Sequence, residues 1–205
     1  MAQSIYGDQK DILPLVMENL AGDLRSYNEE IKKLTGHPVY EHMIYRIKSE
    51  ESMREKCTRK NQPKTPYTAL RIIKDSIGIR VVTGFVDDIF KIIDHIRGIP
   101  GCQVVEEKDY IRNAKPNGYR SYHMIIEMEQ PYPDVEGREP GLFFVEFQIR
   151  TIAMDCWASL EHELKYKKTI KNQKMLQAEL KRCADELASC DVTMQTIKNL
   201  IREGE

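Results

Sequence analysis

Leu142-Phe-Phe-Val-Glu-Phe-Gln-Ile149 is a stretch whose side chains alternate between two kinds of surface. One face carries large apolar side chains, namely Phe143, Val145, Phe147 and Ile149. The other face carries Leu142, Phe144, Glu146 and Gln148. An alternation with period two is typical of a β-strand that packs one face on a hydrophobic core. We therefore predict a strand here, with Glu146 and Gln148 on the face opposite the apolar set.

The carboxylate of Glu146 needs an explanation, because an unpaired charge among large apolar neighbours is costly. Two explanations remain open from the sequence. Glu146 forms a structural ion pair, with Arg80 or Arg150 as the partner, or it binds a magnesium ion. Asp75 lies just before a predicted strand at 77–83 and could supply a second carboxylate. Mg²⁺ binds one or two carboxylates together with substrate phosphates, so two acids from separate segments are sufficient.

Further strands and helices are predicted on both sides of this stretch. The β-branched and alternating segments predict strands at 39–48, 77–83, 103–107 and 122–128. Helical periodicity and capping residues predict helices at 9–35, 49–60, 67–74, 87–98 and 151–168, followed by a long C-terminal helix. This arrangement predicts an α+β fold, with one sheet of about five strands flanked by helices. The order of the strands does not follow from the pattern.

The first and last helices each carry an apolar seam with alternating spacings of four and three residues. The first seam consists of Leu13, Met17, Leu20, Leu24, Tyr27, Ile31 and Leu34. The last consists of Leu176, Leu180, Cys183, Leu187, Cys190, Met194, Ile197 and Ile201. Such seams either pack on the chain's own domain or pair between copies, and their length favours a homo-oligomer.

The composition limits the class of protein. The chain has 205 residues, and Lys+Arg 31 nearly balances Asp+Glu 32, which excludes a uniformly basic nucleic-acid coat protein and an acidic disordered chain. No signal peptide is readable, and no apolar run approaches the roughly 20 residues of a membrane helix. The five cysteines are far apart and form no Cys-x-x-Cys pair. We therefore expect neither a disulfide framework nor a zinc site, and we expect a cytoplasmic protein.

Positive charge is concentrated in residues 43–80, which hold ten basic and four acidic residues. Arg46 and Lys48 leave the strand at 39–48 on one face. Ser49 can cap the helix that follows, and that helix presents three polar side chains on one face, Ser52, Lys56 and Arg59. A strand-to-helix junction with backbone donors and several cations favours a polyphosphate ligand. The alternative is a solvated charged face, and a P-loop is excluded because its glycine spacing is absent.

The segment Lys115-Pro-Asn-Gly-Tyr-Arg-Ser-Tyr-His123 is a second candidate binding element. Its aromatic side chains could stack on a base, and its cations could hold phosphate. The alternative is an ordinary hairpin loop, because Asn117-Gly118 is a common turn.

Taken together, these segments resemble the synthetase region of the Rel/Spo family of alarmone synthetases. The matching motifs are Asp75-Ser-Ile-Gly-Ile-Arg80, Lys108-Asp-Tyr-Ile111, Lys115–His123, Glu146-Phe-Gln-Ile-Arg-Thr151, Trp157-Ala-Ser-Leu-Glu-His162 and, on the ATP side, Arg46–Lys56. The resemblance covers residues 40–168 and extends to the single-domain, RelQ-like small synthetases. It implies a mixed, nucleotidyltransferase-like sheet and three regions, an N-terminal helix at 1–38, a catalytic domain at 39–168 and a C-terminal helix at 169–205.

The resemblance also implies an activity, namely transfer of the β,γ-pyrophosphate of ATP to the ribose 3′-hydroxyl of GTP or GDP, with no hydrolase domain. It implies that ATP is bound by Arg46, Lys48, Ser52, Lys56, Arg59 and Arg80. It implies that GTP or GDP is bound by Lys108, Lys115, Asn117, Tyr119, His123 and Gln148. Asp75 and Glu146 are then the catalytic pair and the Mg²⁺ ligands, and we expect Glu146 to accept the hydroxyl proton as well.

The family resemblance further implies a homotetramer with an allosteric (p)ppGpp pocket between subunits, and RNA binding could coexist with the activity. The alternative function is a catalytically silent nucleotide- or RNA-binding module that uses the same basic segments. Such a module need not keep both Asp75 and Glu146. The presence of both favours the enzyme.

Overall fold

The computed structural model describes residues 4–166 and 172–204. Five strands form one sheet, β1 (His42–Ile47), β2 (Ile77–Thr83), β3 (Cys102–Asp109), β4 (Tyr122–Gln130) and β5 (Gly141–Thr151). Five helices accompany them, α1 (Leu13–Thr35), α2 (Glu50–Arg59), α3 (Val86–Gly98), α4 (Ile152–Tyr166) and α5 (Gln173–Glu203). The prediction of an α+β fold with a five-stranded sheet and long terminal helices is confirmed.

The sheet has the strand order β1-β2-β5-β4-β3, which the sequence pattern did not specify. The central strand β5 runs parallel to β2 and antiparallel to β4. The edge strands β1 and β3 pair antiparallel with β2 and β4. The sheet is therefore mixed, and the stretch that alternates most clearly in the sequence lies at its centre.

The hydrophobic core lies on one face of this sheet. The apolar side chains of β5 are fully buried there, together with those of β2 and β4 that share their face: Val145, Phe147, Ile149, Ile77, Ile79, Met124 and Ile126. Helices α1 and α3 pack against this face. The opposite face is consequently left for polar side chains, as the alternation predicted.

The apolar seam of α1 packs against the chain's own sheet over most of its length. Leu13, Leu20 and Leu24 are buried in the core, whereas Leu34 at the far end of the helix is 73% exposed. The expected start at residue 9 was wrong, because residues Gly7–Asp11 form a separate 3₁₀ turn before the helix begins. The helix ends at Gly36 as predicted, in the left-handed conformation that a glycine cap favours.

Helix α5 behaves differently from α1. Only Ala184 and Asp191 are buried along it, and its C-terminal half exposes a row of large apolar side chains, Val192, Met194, Ile197, Leu200 and Ile201. The predicted domain boundary between residues 168 and 169 and the predicted end of α4 at Lys168 lie outside the described residues. Over the described ranges, no helix combines the length and apolarity that crossing a membrane requires.

Two smaller expectations need correction. The strand predicted at 39–48 is shorter, because pairing with β2 is limited to His42–Ile47. The helix predicted at 67–74 is a single π-helical turn, Thr68–Ile72.

The long connection between β4 and β5 is organised by Asp134, whose side chain is only 1% exposed. Its carboxylate accepts backbone N–H groups of Glu136 at 2.8 Å, Arg138 at 3.1 Å and Leu142 at 3.1 Å, and Arg138 Nε at 2.7 Å. Burial alone would raise the pKa of this carboxyl, but the donors outweigh burial and lower it. The connection is therefore held by one charged hub next to the start of β5.

We expect Asp134→Ala to lower the free energy of unfolding by about 2 to 4 kcal/mol, because three backbone N–H groups and the Arg138 side chain lose their buried acceptor. Since the folded-state pKa is depressed, the contribution is present above the ordinary Asp pKa of about 3.9 and declines as the pH falls below it. Denaturant unfolding at pH 7 and at low pH measures both effects. The control Asp94→Ala removes a carboxylate that is 76% exposed and should change stability by no more than about 0.5 kcal/mol. An Asp134→Ala variant as stable as this control would contradict the assignment.

Candidate active site

The polar face of the sheet carries two rows of residues that cross all five strands. Strand pairing places Arg46, Gly78, Glu146, Ile125 and Glu106 in one row. The adjacent row consists of Ile44, Arg80, Gln148, His123 and Lys108. Residues paired across a sheet project on the same side, so side chains from distant parts of the chain meet on one surface.

A cleft with a volume of about 320 Å³ opens on this surface. Six of the residues predicted to act on ATP, metal or acceptor line it: Arg46, Lys48, Asp75, Arg80, Glu146 and Gln148. Gly78 lies between Arg46 and Glu146 in the row and contributes no side chain, which leaves the floor of the cleft open. Asp75 and Glu146 thus face the same cleft although they are far apart in the sequence.

Asp75 lies at the entrance to β2 between two cations. Its Oδ2 atom forms ion pairs with the ammonium groups of Lys48 and Lys56. Burial favours the neutral carboxyl, but the two ammonium groups outweigh burial and lower the pKa of Asp75. Burial lowers the pKa of Lys48, while Asp75 opposes that shift. Within the described part of the chain, the buried Oδ1 atom of Asp75 has no hydrogen-bond partner.

Helix α2 carries the other residues predicted to bind the ATP phosphates, namely Ser52, Lys56 and Arg59. The Ser49 hydroxyl accepts the N–H of Ser52 at 3.2 Å and caps the helix, as predicted. Met53 and Cys57 are fully buried on the inner side of α2. Ser52 and Arg59 are exposed on its outer side and do not line the cleft.

The structure answers the question of the Glu146 partner. No ion pair joins Glu146 to Arg80 or Arg150 in the described residues; both guanidinium groups instead contact Asp155 Oδ1, at 3.4 Å and 2.9 Å. Glu146 Oε2 accepts Gln148 Nε2 at 3.2 Å, and His123 Nδ1 lies 3.9 Å from Glu146 Oε1. An ion pair with Arg80 or Arg150 therefore does not explain why a carboxylate stands at position 146.

Tyr119 and His123 lie beside Glu146 and Gln148, at the end of the Lys115–His123 segment. The Tyr119 hydroxyl is 2.8 Å from His123 Nε2. The Lys115 ammonium lies 4.7 Å from the centroid of the Tyr119 ring, within the range of a cation–π contact. Burial and nearby cations, Arg150 first among them, lower the pKa of His123 to about 4, so its imidazole is neutral at physiological pH.

The same segment is held against helix α5. Gly118 has a φ of 92°, and a Cβ there would lie 2.5 Å from Ala184 Cβ, so the position requires glycine. Arg120 donates to the carbonyl of Ala184 at 3.3 Å and pairs with Asp185 at 3.3 Å. The backbone of this loop is thereby fixed by contacts outside the cleft.

Two predicted acceptor residues lie further from the cleft. Lys108 is on the edge strand β3, where its ammonium pairs with Glu106 and is half exposed. Asn117 donates to Glu161 Oε1 at 3.1 Å, on α4. The structure therefore brings Tyr119, His123 and Gln148 to Glu146, whereas Lys108 and Asn117 contact neighbouring acids instead.

Sequence reasoning missed the role of Asp155 and most of the role of Arg150. Asp155 lies in the first turn of α4, where an acidic residue is common. Its position in the sequence therefore did not indicate that it contacts two arginines. Arg150 falls inside the Glu146–Thr151 motif, but the sequence could not indicate that its side chain is buried.

The cleft offers oxygen ligands for a magnesium ion. Across residues 4–166 and 172–204, no group of three or more His, Cys, Asp or Glu side chains is arranged to hold a metal ion. Two carboxylates nevertheless face the cleft, and the Oδ1 atom of Asp75 is buried there without a hydrogen-bond partner. This donor set fits Mg²⁺, which takes one or two carboxylates and completes its coordination with phosphates and water. It does not suit zinc, because no Cys lines the cleft, and His123, the imidazole beside Glu146, does not form a group of three metal-binding side chains with the two acids in the described residues.

Comparison with known proteins places the chain in a family. Residues 45–171 match the family described as "Region found in RelA / SpoT proteins". The GTP pyrophosphokinase YwaC of Bacillus subtilis is 36% identical over 202 residues, which cover 92% of this chain and 94% of that protein.

Solved structures agree with this assignment. The small alarmone synthetase 2 of Bacillus subtilis superposes with a TM-score of 0.79 at 34% identity, covering 94% of this chain and 98% of that one. The small alarmone synthetase 1 of the same organism, bound to its product pppGpp, gives a TM-score of 0.69 at 31% identity, covering 90% and 97%. This chain belongs to the RelA/SpoT family and has the fold of its small alarmone synthetases.

Proposed function

We propose that this protein is a GTP pyrophosphokinase that transfers the β,γ-pyrophosphate of ATP to the ribose 3′-hydroxyl of GTP or GDP and releases AMP. The observation that carries the proposal is the convergence of Asp75 and Glu146 on one cleft lined by Arg46, Lys48 and Arg80. The reaction requires cations for the phosphates and a base for the attacking hydroxyl, and this cleft offers both. The names of the similar proteins support the same activity.

The donor nucleotide would occupy the end of the cleft nearest β1 and α2. Arg46 and Arg80 leave neighbouring strands on the same face, and their planar guanidinium groups suit stacking on adenine. The triphosphate would then meet the ammonium groups of Lys48 and Lys56, which stand together at Asp75. Ser52 and Arg59, exposed on α2, would contact the phosphates from the outer side.

The acceptor would occupy the other end, above β5 and β4. Tyr119 would stack on the guanine, and Lys115, which lies over the Tyr119 ring, would add positive charge near the acceptor phosphates. Gln148 shares the face of Glu146 and would help to orient the ribose. Lys108 and Asn117, whose polar groups now contact Glu106 and Glu161, would contribute at the periphery.

In this arrangement the 3′-oxygen attacks the β-phosphorus in line with the departing AMP. Glu146 accepts the hydroxyl proton, a role open to it because no arginine neutralises its carboxylate in the described residues. We assign Mg²⁺ binding to Asp75 and Glu146, and the ion would neutralise charge on the transferred phosphates. His123 is not assigned to the metal, because hard Mg²⁺ prefers oxygen ligands.

We also propose that the protein forms a homo-oligomer through α5, and by family resemblance a tetramer with a (p)ppGpp pocket between subunits. The support is the row of exposed apolar side chains along the C-terminal half of α5, from Val192 to Ile201. An exposed apolar surface of this length on a small domain is usually covered by a partner.

The five cysteines are all free thiols, which is consistent with a reducing cytoplasm.

The activity is tested by incubating the protein with ATP, Mg²⁺ and either GTP or GDP and separating the products. We expect AMP and a guanosine pentaphosphate or tetraphosphate. Glu146→Gln should bind both nucleotides with nearly unchanged dissociation constants and turn over about 10²- to 10⁴-fold more slowly, because an amide cannot take the proton.

The matched control is Glu129→Gln, which changes an exposed acid on the same face of the sheet near the end of β4. This control should keep wild-type turnover. Wild-type turnover by Glu146→Gln would remove Glu146 from the mechanism, and absence of AMP from the unmodified protein would contradict the proposed activity itself.

Replacing Tyr119 by Ala should raise the Michaelis constant for GTP or GDP by about 10-fold or more, because loss of base stacking costs about 1 to 3 kcal/mol. The Michaelis constant for ATP should change little. Steady-state kinetics with each substrate varied in turn measures both constants. Equal effects on the two substrates would contradict the stacking assignment.

Size-exclusion chromatography with light scattering at low micromolar concentration should give a mass that is a multiple of the 23.9 kDa chain. Replacing both Ile197 and Ile201 by Glu should shift the protein toward the monomer, because the charges would lie in the apolar seam. Unmodified protein that elutes as a 24 kDa monomer would disprove the oligomer proposal.

A further inference from the structure

Arg150 is a buried arginine, 4% exposed, that the mechanism above does not use. Its guanidinium group donates hydrogen bonds to four different side chains around the acceptor end of the cleft. Nη2 donates to Tyr119 Oη at 2.7 Å and to Gln148 Oε1 at 3.1 Å. Nη1 donates to Asp155 Oδ1 at 2.9 Å, and Nε donates to Ser121 Oγ at 3.3 Å. A planar donor fork with four of its five N–H groups engaged in this way holds its partners in one geometry.

The contact with Tyr119 determines the direction of the next hydrogen bond. A guanidinium group can only donate, so the Tyr119 oxygen is the acceptor of Arg150. The hydroxyl proton of Tyr119 then needs an acceptor of its own, and His123 Nε2 lies 2.8 Å away. If His123 donated instead, the Tyr119 proton would be left without an acceptor among the described residues, which is unfavourable for a half-buried hydroxyl. Tyr119 therefore donates to His123.

This direction fixes the tautomer of His123. When Nε2 accepts, the single proton of a neutral imidazole resides on Nδ1. Nδ1 faces Glu146, with its nitrogen 3.9 Å from Oε1. That distance is too long for a hydrogen bond, but catalytic hydrogen bonds commonly tighten when substrates bind. The lowered pKa of His123 agrees with a neutral ring.

We propose that Arg150 is a positioning residue: through the Tyr119 hydroxyl it holds His123 as the Nδ1–H tautomer, so that an N–H donor and not a lone pair faces the carboxylate of Glu146. The opposite tautomer would set a nitrogen lone pair against the carboxylate oxygen and repel it. Tyr119 thus has two separable functions, base stacking by its ring and tautomer control by its hydroxyl. The inference rests on the proposed role of Glu146 as the base.

The tautomer can be observed directly without any assay of activity. The chain has five histidines, so nitrogen-15 labelling of the imidazole rings gives a simple spectrum, in which His123 is assigned by its loss in His123→Gln. At neutral pH we expect a protonated Nδ1 and an unprotonated Nε2 for His123. In Tyr119→Phe the Nε2 atom loses its donor, and we expect a shift toward the Nε2–H form.

Tyr110→Phe is the matched control, because the Tyr110 ring also contacts the His123 ring edge-on, with centroids 5.3 Å apart. Its hydroxyl forms no hydrogen bond with His123, so this variant should keep the wild-type imidazole signals. An Nε2–H tautomer in the unmodified protein would overturn the proposal. An unchanged tautomer in Tyr119→Phe would overturn it as well.

The kinetic consequence separates the two functions of Tyr119. Tyr119→Phe keeps the ring, so the Michaelis constant for GTP or GDP should stay within about 2-fold of wild type. Its kcat should fall about 10- to 100-fold, because loss of a positioning partner costs of this order. A wild-type kcat together with a changed tautomer would show that the tautomer does not matter and would overturn the positioning role.

Arg150→Lys tests the role of Arg150 itself, and thermal unfolding shows whether this buried position tolerates the change. If Arg150→Lys folds, it should reproduce both the imidazole shift and the fall in kcat; wild-type behaviour in both would overturn the role of Arg150. If it does not fold, Tyr119→Phe alone decides the proposal. A failure of the proposed activity would appear separately, as absence of AMP formation by the unmodified protein.

Discussion

The pairing of β5 with β2 fixes the position of the functional side chains. In this parallel register Gly78 stands opposite Glu146 and Arg80 opposite Gln148. A slip of one residue would turn every side chain of β5 to the other face and would expose Phe147 to water. Burial of Phe147 and its apolar neighbours therefore holds Glu146 in the cleft, so that the stability of the core and the geometry of the site depend on the same register.

The acids of the site differ in their cationic partners, and this difference is the basis of the separate functions that we propose for them. Asp75 is paired with two ammonium groups, and Asp155 is shared by two guanidinium groups. Glu146 contacts an amide and faces a neutral imidazole. The two ammonium groups lower the pKa of Asp75 and hold its carboxylate as an anion, whereas no arginine pairs with Glu146 in the described residues. We therefore propose that Asp75 anchors cations in the cleft and that Glu146 accepts the proton, while Asp155 holds the two arginines in place.

Local sequence signals predicted much of this structure. The alternation at 142–149 predicted β5 with its two faces, and Ser49 predicted the start of α2. The strand order could not be predicted, because it depends on long-range pairing, and neither could the Arg150 contacts, which join separate elements. The four-three seams had the same appearance at both ends of the chain, but the seam of α1 is mostly buried in its own domain and that of α5 is mostly exposed. Periodicity identifies an apolar face without identifying what covers it.

We propose that Asp75 and Glu146 bind one divalent ion beside the phosphates of ATP. A crystal structure with a non-hydrolysable ATP analogue and Mn²⁺ tests this most directly, since anomalous scattering locates the manganese without ambiguity. We expect a single manganese peak within about 2.0 to 2.3 Å of an oxygen of each carboxylate and of the analogue's phosphates. A peak that contacts neither carboxylate, or an analogue bound away from the cleft between β1 and β5, would contradict it.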